Sequence, residues 1–164
     1  MQAKIDGEIM APESKSLCKA IGLTSKLLGI YINDSLQLND LNLTLSQFVV
    51  LKILKKQNGI CQNELAFITE RDKTSLTRLI NTLETKGLVS RQVSNIDRRK
   101  RTVFISALGI EILDSALPLI DRLEEEIASN ITPGEFDNLL RALNKIQANV
   151  LNLESVEGQK NTIK

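Results

Sequence analysis

The apolar residues of this chain change their spacing once, in the middle of the sequence. Residues 72–86 carry an apolar stripe at spacings of three and four, which predicts an amphipathic helix. The members of this stripe are Leu76, Leu79, Ile80 and Leu83. Gly87 then favours a left-handed stop, and apolar residues alternate with polar ones in 88–93 and 102–105, as in two β-strands. A helix that leads directly into a β-hairpin is compatible with few folds.

Helical spacing dominates the rest of the chain. It predicts helices over about 14–38, 44–57, 62–68 and 107–129, and a last one from 132 onward. Thr44 with Gln47, and Thr132 with Glu135, have the spacing of capping boxes and place two helix starts. Aromatic residues make up only 3% of the sequence, which also favours helices. The expected fold class is mainly α with a small β-hairpin wing, a winged helix-turn-helix.

Charge is concentrated in one segment, although the whole chain has a net charge of only +1. Residues 71–101 carry nine Lys and Arg against three Asp and Glu, whereas residues 1–70 are neutral and residues 102–164 are acidic. A localised basic segment is typical of contact with a polyanion, and a solvated charge cluster is the alternative interpretation.

The outer face of the 72–86 helix is polar. It presents Lys73, Thr74, Ser75, Thr77, Arg78 and Asn81. A helix fits the major groove of DNA, where Arg78 can bind guanine through two hydrogen bonds and Asn81 can bind adenine. The short hydroxyl side chains can reach phosphates or base edges. Lys73, near the helix N-terminus, would neutralise a phosphate.

The hairpin tip is strongly basic. Arg98 or Arg99 is expected to enter a narrow minor groove, with Lys100 and Arg101 on the flanking phosphates. Asp97 would repel phosphate, so we interpret it as a partner that orients a neighbouring arginine. Its alternative role is to cap the turn.

Five sequence motifs follow one another in order across residues 61–109. They are QNELA at 62–66, KTSLTRLI at 73–80, LETKGLV at 83–89, DRR at 97–99 and SALG at 106–109. This region resembles the MarR family of bacterial regulators. Cys61 departs from the family pattern, because a Ser or Thr N-cap is usual there, and so does Asn95, which replaces an Asp in the wing motif.

The resemblance implies a cytoplasmic DNA-binding transcriptional regulator, expected here to be a repressor. It also implies a homodimer that binds a pseudo-palindromic operator through two recognition helices. We accordingly expect one domain over 1–164. Its dimerisation helices would be 14–43 and 107–153, and its DNA-binding lobe 44–105, with motif helices 61–86 and wing 88–105. The apolar faces of the first helix and the last two are larger than one small lobe can cover, which agrees with a dimer.

Members of the family often respond to small aromatic or anionic effectors. Leu17, Ile21, Phe48 and Leu51 are the candidate pocket residues, with an ordinary core role as the alternative. Cys18 lies near the position at which peroxide-sensing relatives carry a reactive cysteine, so redox sensing is a second possible mode of regulation. The alternative interpretation of Cys18 is an ordinary buried thiol. The sequence has no His and no clustered ligands, so neither a metal nor a cofactor is expected.

Other function classes fit the sequence less well. It has no histidine, nucleophile elbow or glycine-rich phosphate loop, so we do not expect an enzyme. A winged helix that binds another protein remains an alternative, but Lys73, Arg78, Arg98 and Arg99 argue against it. The two cysteines do not suggest a disulfide framework. The N-terminus has no signal pattern, and no apolar stretch is long enough for a membrane span. These features are those expected of a cytoplasmic protein.

Overall fold

The computed structural model describes residues 16–93 and 101–160, with side chains described to residue 152 apart from Val93. Within these ranges lie α1 (Leu17–Leu38), α2 (Leu45–Lys56), β1 (Ile60–Cys61), α3 (Gln62–Ile68), α4 (Lys73–Thr85), β2 (Val89–Val93), β3 (Arg101–Ile105), α5 (Ala107–Ala128) and α6 (Pro133–Lys160). The predicted fold class, mainly α with a small hairpin, is confirmed. All of the predicted helices are present and start within three residues of the expected positions.

The sheet contains a strand that the sequence did not reveal. It has three antiparallel strands in the order β1-β3-β2, with Ile60 opposite Val103 and Cys61 opposite Thr102. Gly59, at φ +77°, makes the turn from α2 into β1, and its α-carbon faces the ring of Phe104. A strand of two residues shows no alternation, so periodicity cannot detect it. The hairpin is therefore anchored to the start of α3 through β1.

The core of the DNA-binding lobe predicted at 44–105 is aliphatic. The side chains below 2% exposure there include Leu51, Leu54, Ile60, Leu65, Leu76, Ile80, Leu83 and Val103. They come from α2, α3, α4 and both β1 and β3, so these elements share one interior. Each fully buried aliphatic side chain contributes roughly 1.5–3 kcal/mol to stability. This interior fixes one face of α4 and leaves the opposite face to solvent.

The chain divides into two compact units after Asp121. The first holds α1 to most of α5, and the second holds the end of α5 with α6. Leu36 is the buried residue of α1, whereas Leu17 and Leu38 are 53% and 83% exposed. In α6, Phe136, Leu139, Leu140, Val150 and Leu151 are exposed. The domain boundaries expected from the sequence stay a prediction. Across the described ranges, every helix is too short or too polar to cross a membrane.

Candidate nucleic-acid interface

A tight turn joins α3 to α4. The hydroxyl of Thr69 donates to the carbonyl of Leu65 at 2.7 Å, and the Arg71 amide donates to the carbonyl of Ala66 at 3.0 Å. Glu70 between them has φ +50°, a left-handed conformation that lets the chain reverse in few residues. Asp72 then caps α4, since its carboxylate accepts the Ser75 amide at 2.8 Å. The helix predicted over 72–86 is present, with Asp72 as its N-cap.

The face of α4 that points away from the core is polar and accessible. Lys73, Thr74, Arg78 and Asn81 are all exposed there, while Leu76, Ile80 and Leu83 are buried on the opposite face. Two cations and an amide thus lie on one open helix surface. This arrangement can donate hydrogen bonds to an anionic partner without loss of a contact inside the protein.

Ser75 and Thr77, predicted for the same surface, are half-buried and already hydrogen-bonded. The Thr77 hydroxyl donates to the carbonyl of Lys73 at 2.7 Å and accepts from Nε2 of Gln62, also at 2.7 Å. Its proton is therefore committed within the protein. Ser75 Oγ lies 3.5 Å from the guanidinium of Arg71. The hydroxyls of Ser75 and Thr77 are therefore less accessible to a partner than the exposed residues of α4.

The hairpin tip falls outside the described residues. This includes Asp97, Arg98, Arg99 and Lys100, so their predicted roles in the wing stay predictions. Arg101 is described, and it is exposed at the start of β3.

An ion pair that the sequence did not indicate joins the hairpin to α4. Both Nε and Nη2 of Arg91 donate to Oε2 of Glu84, with Nε at 3.1 Å. The hydrogen bond from Arg91 holds the pKa of Glu84 below its ordinary value, and the charge of Arg101 acts in the same direction. The pair fixes β2 against the last turn of α4.

Two further cations of the basic segment are also paired within the protein. Arg71 donates to Oγ of Ser46 at 2.6 Å. Lys86 donates to the carbonyl and side-chain oxygens of Asn42 and to Oε1 of Gln47. Sequence reasoning counted both as part of one basic surface, because charge alone does not show which way a side chain points. The partners of Lys86 are about forty residues away, so no local signal could have identified them.

The predicted effector residues differ in their exposure, and their role as a pocket stays a prediction. Phe48 and Leu51 are buried in the core, whereas Leu17 is exposed and Ile21 is half-buried. A cavity of about 220 Å³ lies elsewhere in the first unit, lined by Leu41, Asn42, Lys86, Leu88, Leu108 and Ile112. None of the four predicted residues lines it.

The cysteines are free thiols in different surroundings. Cys18 is exposed in the first turn of α1, which differs from the buried thiol given as its ordinary role. Cys61 is half-buried at the N-cap of α3 and makes no side-chain cap hydrogen bond. In the part of the chain that the structure describes, no cluster of three or more His, Cys, Asp or Glu could hold a metal ion.

The region that contains these elements matches a known protein family. Residues 43–100, from the start of α2 to the hairpin tip, match the model of the MarR family. Over this region the chain is similar to the MarR family. The region with the family match includes the α3–turn–α4 segment and all of the exposed polar face of α4.

Individual known proteins are similar over a longer stretch. The transcriptional regulator HosA from Escherichia coli O127:H6 is 28% identical over 105 residues, which cover 64% of this chain and 78% of HosA. The operator-DNA complex of a cysteine variant of MarR from E. coli is 27% identical. It covers 79% of this chain and 92% of that one, with a TM-score of 0.73.

A second solved complex has a similar fold. The transcriptional repressor CouR, bound to a 23-mer DNA duplex, is 25% identical and gives a TM-score of 0.75. It covers 84% of this chain and 96% of CouR. The winged helix-turn-helix fold predicted from the sequence is therefore the fold of these MarR-family regulators.

Proposed function

We propose that this chain is a transcriptional regulator that binds double-stranded DNA sequence-specifically as a homodimer and represses transcription. The observation that carries the proposal is the open polar face of α4, where Lys73, Thr74, Arg78 and Asn81 are exposed. Two DNA complexes of similar proteins support it, that of E. coli MarR with operator DNA and that of the repressor CouR. Such a role requires binding and no catalytic step.

On this proposal α4 is the recognition helix. Arg78 would bind guanine through two hydrogen bonds, and Asn81 would bind adenine. Lys73 lies in the first turn, where the helix dipole also favours an anion, so it would bind a phosphate. Thr74 is accessible at the same end. Thr77 would contribute less, because its hydroxyl already donates to Lys73 and accepts from Gln62. Ser75 would contribute less because it is half-buried.

The wing would add a second contact. We assign Arg98 and Arg99 to the minor groove and Lys100 and Arg101 to flanking phosphates, with Asp97 orienting an arginine. The β2–β3 pairing supports this assignment, since five antiparallel residue pairs, from Val89–Ile105 to Val93–Arg101, form the two strands expected of a wing.

A second copy of the chain would cover the exposed apolar faces. Leu23, Leu27 and Ile30 of α1 are about half exposed, as are several apolar side chains of α6. These helices belong to the predicted dimerisation segments 14–43 and 107–153. A dimer places two recognition helices about 34 Å apart, one turn of DNA, which suits a pseudo-palindromic operator. A regulator of bacterial genes acts in the cytoplasm, where we place this chain.

The test begins with a duplex selected from a random-sequence library by the purified protein. Affinity for that duplex is then measured by fluorescence anisotropy over a range of salt concentrations. We expect log K to fall linearly with log salt for the wild type. Arg78→Ala should weaken binding by about 1–3 kcal/mol and relax specificity at one base pair. Lys73→Ala should weaken binding to all duplexes and reduce the salt slope by about 1.

The matched control is Lys56→Ala, which removes the same charge from the exposed C-terminal end of α2. It should bind like the wild type. If the wild type shows no salt-sensitive affinity for any selected duplex, the DNA-binding proposal is wrong. A winged helix that binds another protein would then be the better interpretation.

A further inference from the structure

We infer that the first turn of α2 holds both ends of α4, and that Arg71 and Lys86 position this helix for DNA rather than contact DNA themselves. The inference rests on the proposed function, because it concerns how the recognition helix is oriented. It assigns to two cations of the basic segment a role different from that of Lys73 and Arg78.

The N-terminal end of α4 is held through Arg71. This residue directly precedes the N-cap Asp72, and its Nη2 donates to Oγ of Ser46 at 2.6 Å. Its Nη1 lies 3.5 Å from Oγ of Ser75, inside the first turn of α4. Arg71, Ser46 and Ser75 are all half-buried. The guanidinium thus bridges the first turns of α2 and α4.

The C-terminal end of α4 is held through Lys86. Lys86 is the C-cap residue, and its ammonium donates to Oε1 of Gln47 at 3.1 Å and to Oδ1 of Asn42 at 3.3 Å. It also donates to the backbone carbonyl of Asn42. These three acceptors match the three N–H donors of an ammonium. Lys86 therefore has no donor left for a phosphate unless it gives up a contact.

Gln47 connects this contact to the start of α2. It is only 4% exposed and is the buried polar residue of the described chain. Its Oε1 also accepts the Thr44 amide at 3.2 Å, which is one half of the capping box. One oxygen therefore both caps α2 and accepts from Lys86. A buried oxygen shared in this way fixes the two elements relative to each other.

The two contacts lie at opposite ends of one rigid element. Helix α4 has 13 residues, so its ends are about 20 Å apart. Ser46 and Gln47 are neighbours in sequence, so each end of α4 has a contact on the first turn of α2. Asn42, just before α2, adds two more contacts to Lys86. A helix held at both ends cannot tilt without breaking one of them. The exposed face of α4 is presented at a fixed angle as a result.

The experiment compares two variants that lose the same charge, Lys86→Met and Lys73→Met. Affinity for the selected duplex is measured across a salt series. A lost phosphate contact reduces the slope of log K against log salt by about 1. We expect this for Lys73→Met. For Lys86→Met we expect about tenfold weaker binding at every salt concentration, with the wild-type slope retained.

Two variants of the acceptor complete the design. Gln47→Glu keeps the oxygens that accept from Thr44 and Lys86, so it should bind with nearly wild-type affinity. Gln47→Leu removes them and should bind as weakly as Lys86→Met. In thermal melts, the loss of Tm in the double variant Gln47→Leu/Lys86→Met should be smaller than the sum of the single losses, because both remove one interaction.

The outcomes distinguish failure of the proposed function from failure of the positioning role. A wild type that binds no duplex overturns the proposed function, and the positioning role with it. A wild type that binds, combined with a reduced salt slope in Lys86→Met, makes Lys86 a phosphate contact and overturns the inference alone. Additive losses of Tm for Gln47 and Lys86 overturn it as well, and this measurement needs no DNA.

Discussion

Arg91 on β2 donates through two nitrogens to one carboxylate oxygen of Glu84, in the last turns of α4. The side chain of Arg91 is only 17% exposed, while that of Glu84 is 39% exposed. This pair joins the hairpin to the helix that precedes it, across the turn at Gly87. The recognition helix and the wing are thereby joined by a charge pair with one member on each of them.

The pair should make stability depend on pH through Glu84. The hydrogen bond from Arg91 lowers the pKa of Glu84 from its ordinary value of 4.5. A carboxylate with a lowered pKa stabilises the fold above that value, and its contribution is lost as the pH falls through the lowered pKa. Glu84→Gln should therefore cost at most about 1 kcal/mol at pH 7, given the exposure of Glu84. The cost should shrink below pH 4.5.

Urea unfolding of the wild type and Glu84→Gln from pH 7 to pH 3 checks this expectation. Glu111→Gln makes the same charge change at an exposed position of α5 that has no salt bridge among the described residues. A difference between wild type and Glu84→Gln that stays constant across the pH range would contradict the assigned ion pair.

The N-cap of α4 allows a second prediction with a built-in control. The carboxylate of Asp72 accepts the Ser75 amide, so Asp72→Ala should cost about 1 kcal/mol of unfolding free energy. Asp72→Asn keeps an oxygen that accepts the same bond and should cost a few tenths of a kcal/mol at most. Chemical denaturation of the three proteins measures both values. Equal losses in the two variants would show that charge, and not the cap, is what Asp72 provides.

The sequence predicted those features that depend on neighbouring residues. The capping boxes at Thr44–Gln47 and Thr132–Glu135 are both present, because their partners are three residues apart and need no tertiary contact. The start of α4 is equally local, because the carboxylate of Asp72 accepts an amide three residues further along the chain. The strand β1 was missed, since its two residues become a strand only through pairing with Val103 and Thr102.

The candidate site was predictable only in part, because orientation depends on residues far away in the sequence. Helical spacing correctly placed Lys73, Arg78 and Asn81 on the exposed face of α4. It could not show that Thr77 is bonded to Gln62, fifteen residues away, or Lys86 to Asn42, forty-four residues away. Net charge identified the basic segment, and the tertiary contacts then decide which cations remain accessible.

Asn58 provides a third prediction, concerning the anchor of the hairpin. Its Oδ1 accepts two backbone amides, those of Gly59 and Ile105, both at 3.0 Å. Asn58→Ala should leave the amide of Ile105, a residue only 8% exposed, without this acceptor, at a cost of about 1–3 kcal/mol. Asn58→Asp retains the acceptor and should be much less destabilising. The free energy of unfolding measures the difference. If Asn58→Ala and Asn58→Asp are equally stable, Asn58 does not anchor the hairpin through this acceptor.

The start of α5 depends on a glycine for reasons of space. Ser106 caps this helix, as its hydroxyl accepts the Gly109 amide at 2.9 Å and donates to the carbonyl of Gly87 at 2.7 Å. A Cβ on Gly109 would overlap the carbonyl of Leu88 and would lie 2.9 Å from Cγ1 of Ile105. The carbonyl of Leu88 cannot easily move, because it accepts the amide of Ser106 at 3.0 Å.

Gly109→Ala should therefore lower the unfolding free energy by about 1–3 kcal/mol, although alanine is the better helix former. Gly134→Ala is the matched control, since a Cβ there would meet no atom within 4 Å in α6. Without a steric penalty, that substitution should leave stability unchanged or raise it by up to about 1 kcal/mol. Thermal and urea unfolding measure the change in unfolding free energy for both variants. If Gly109→Ala is as stable as Gly134→Ala, the close approach of α5 to Leu88 does not exist in solution.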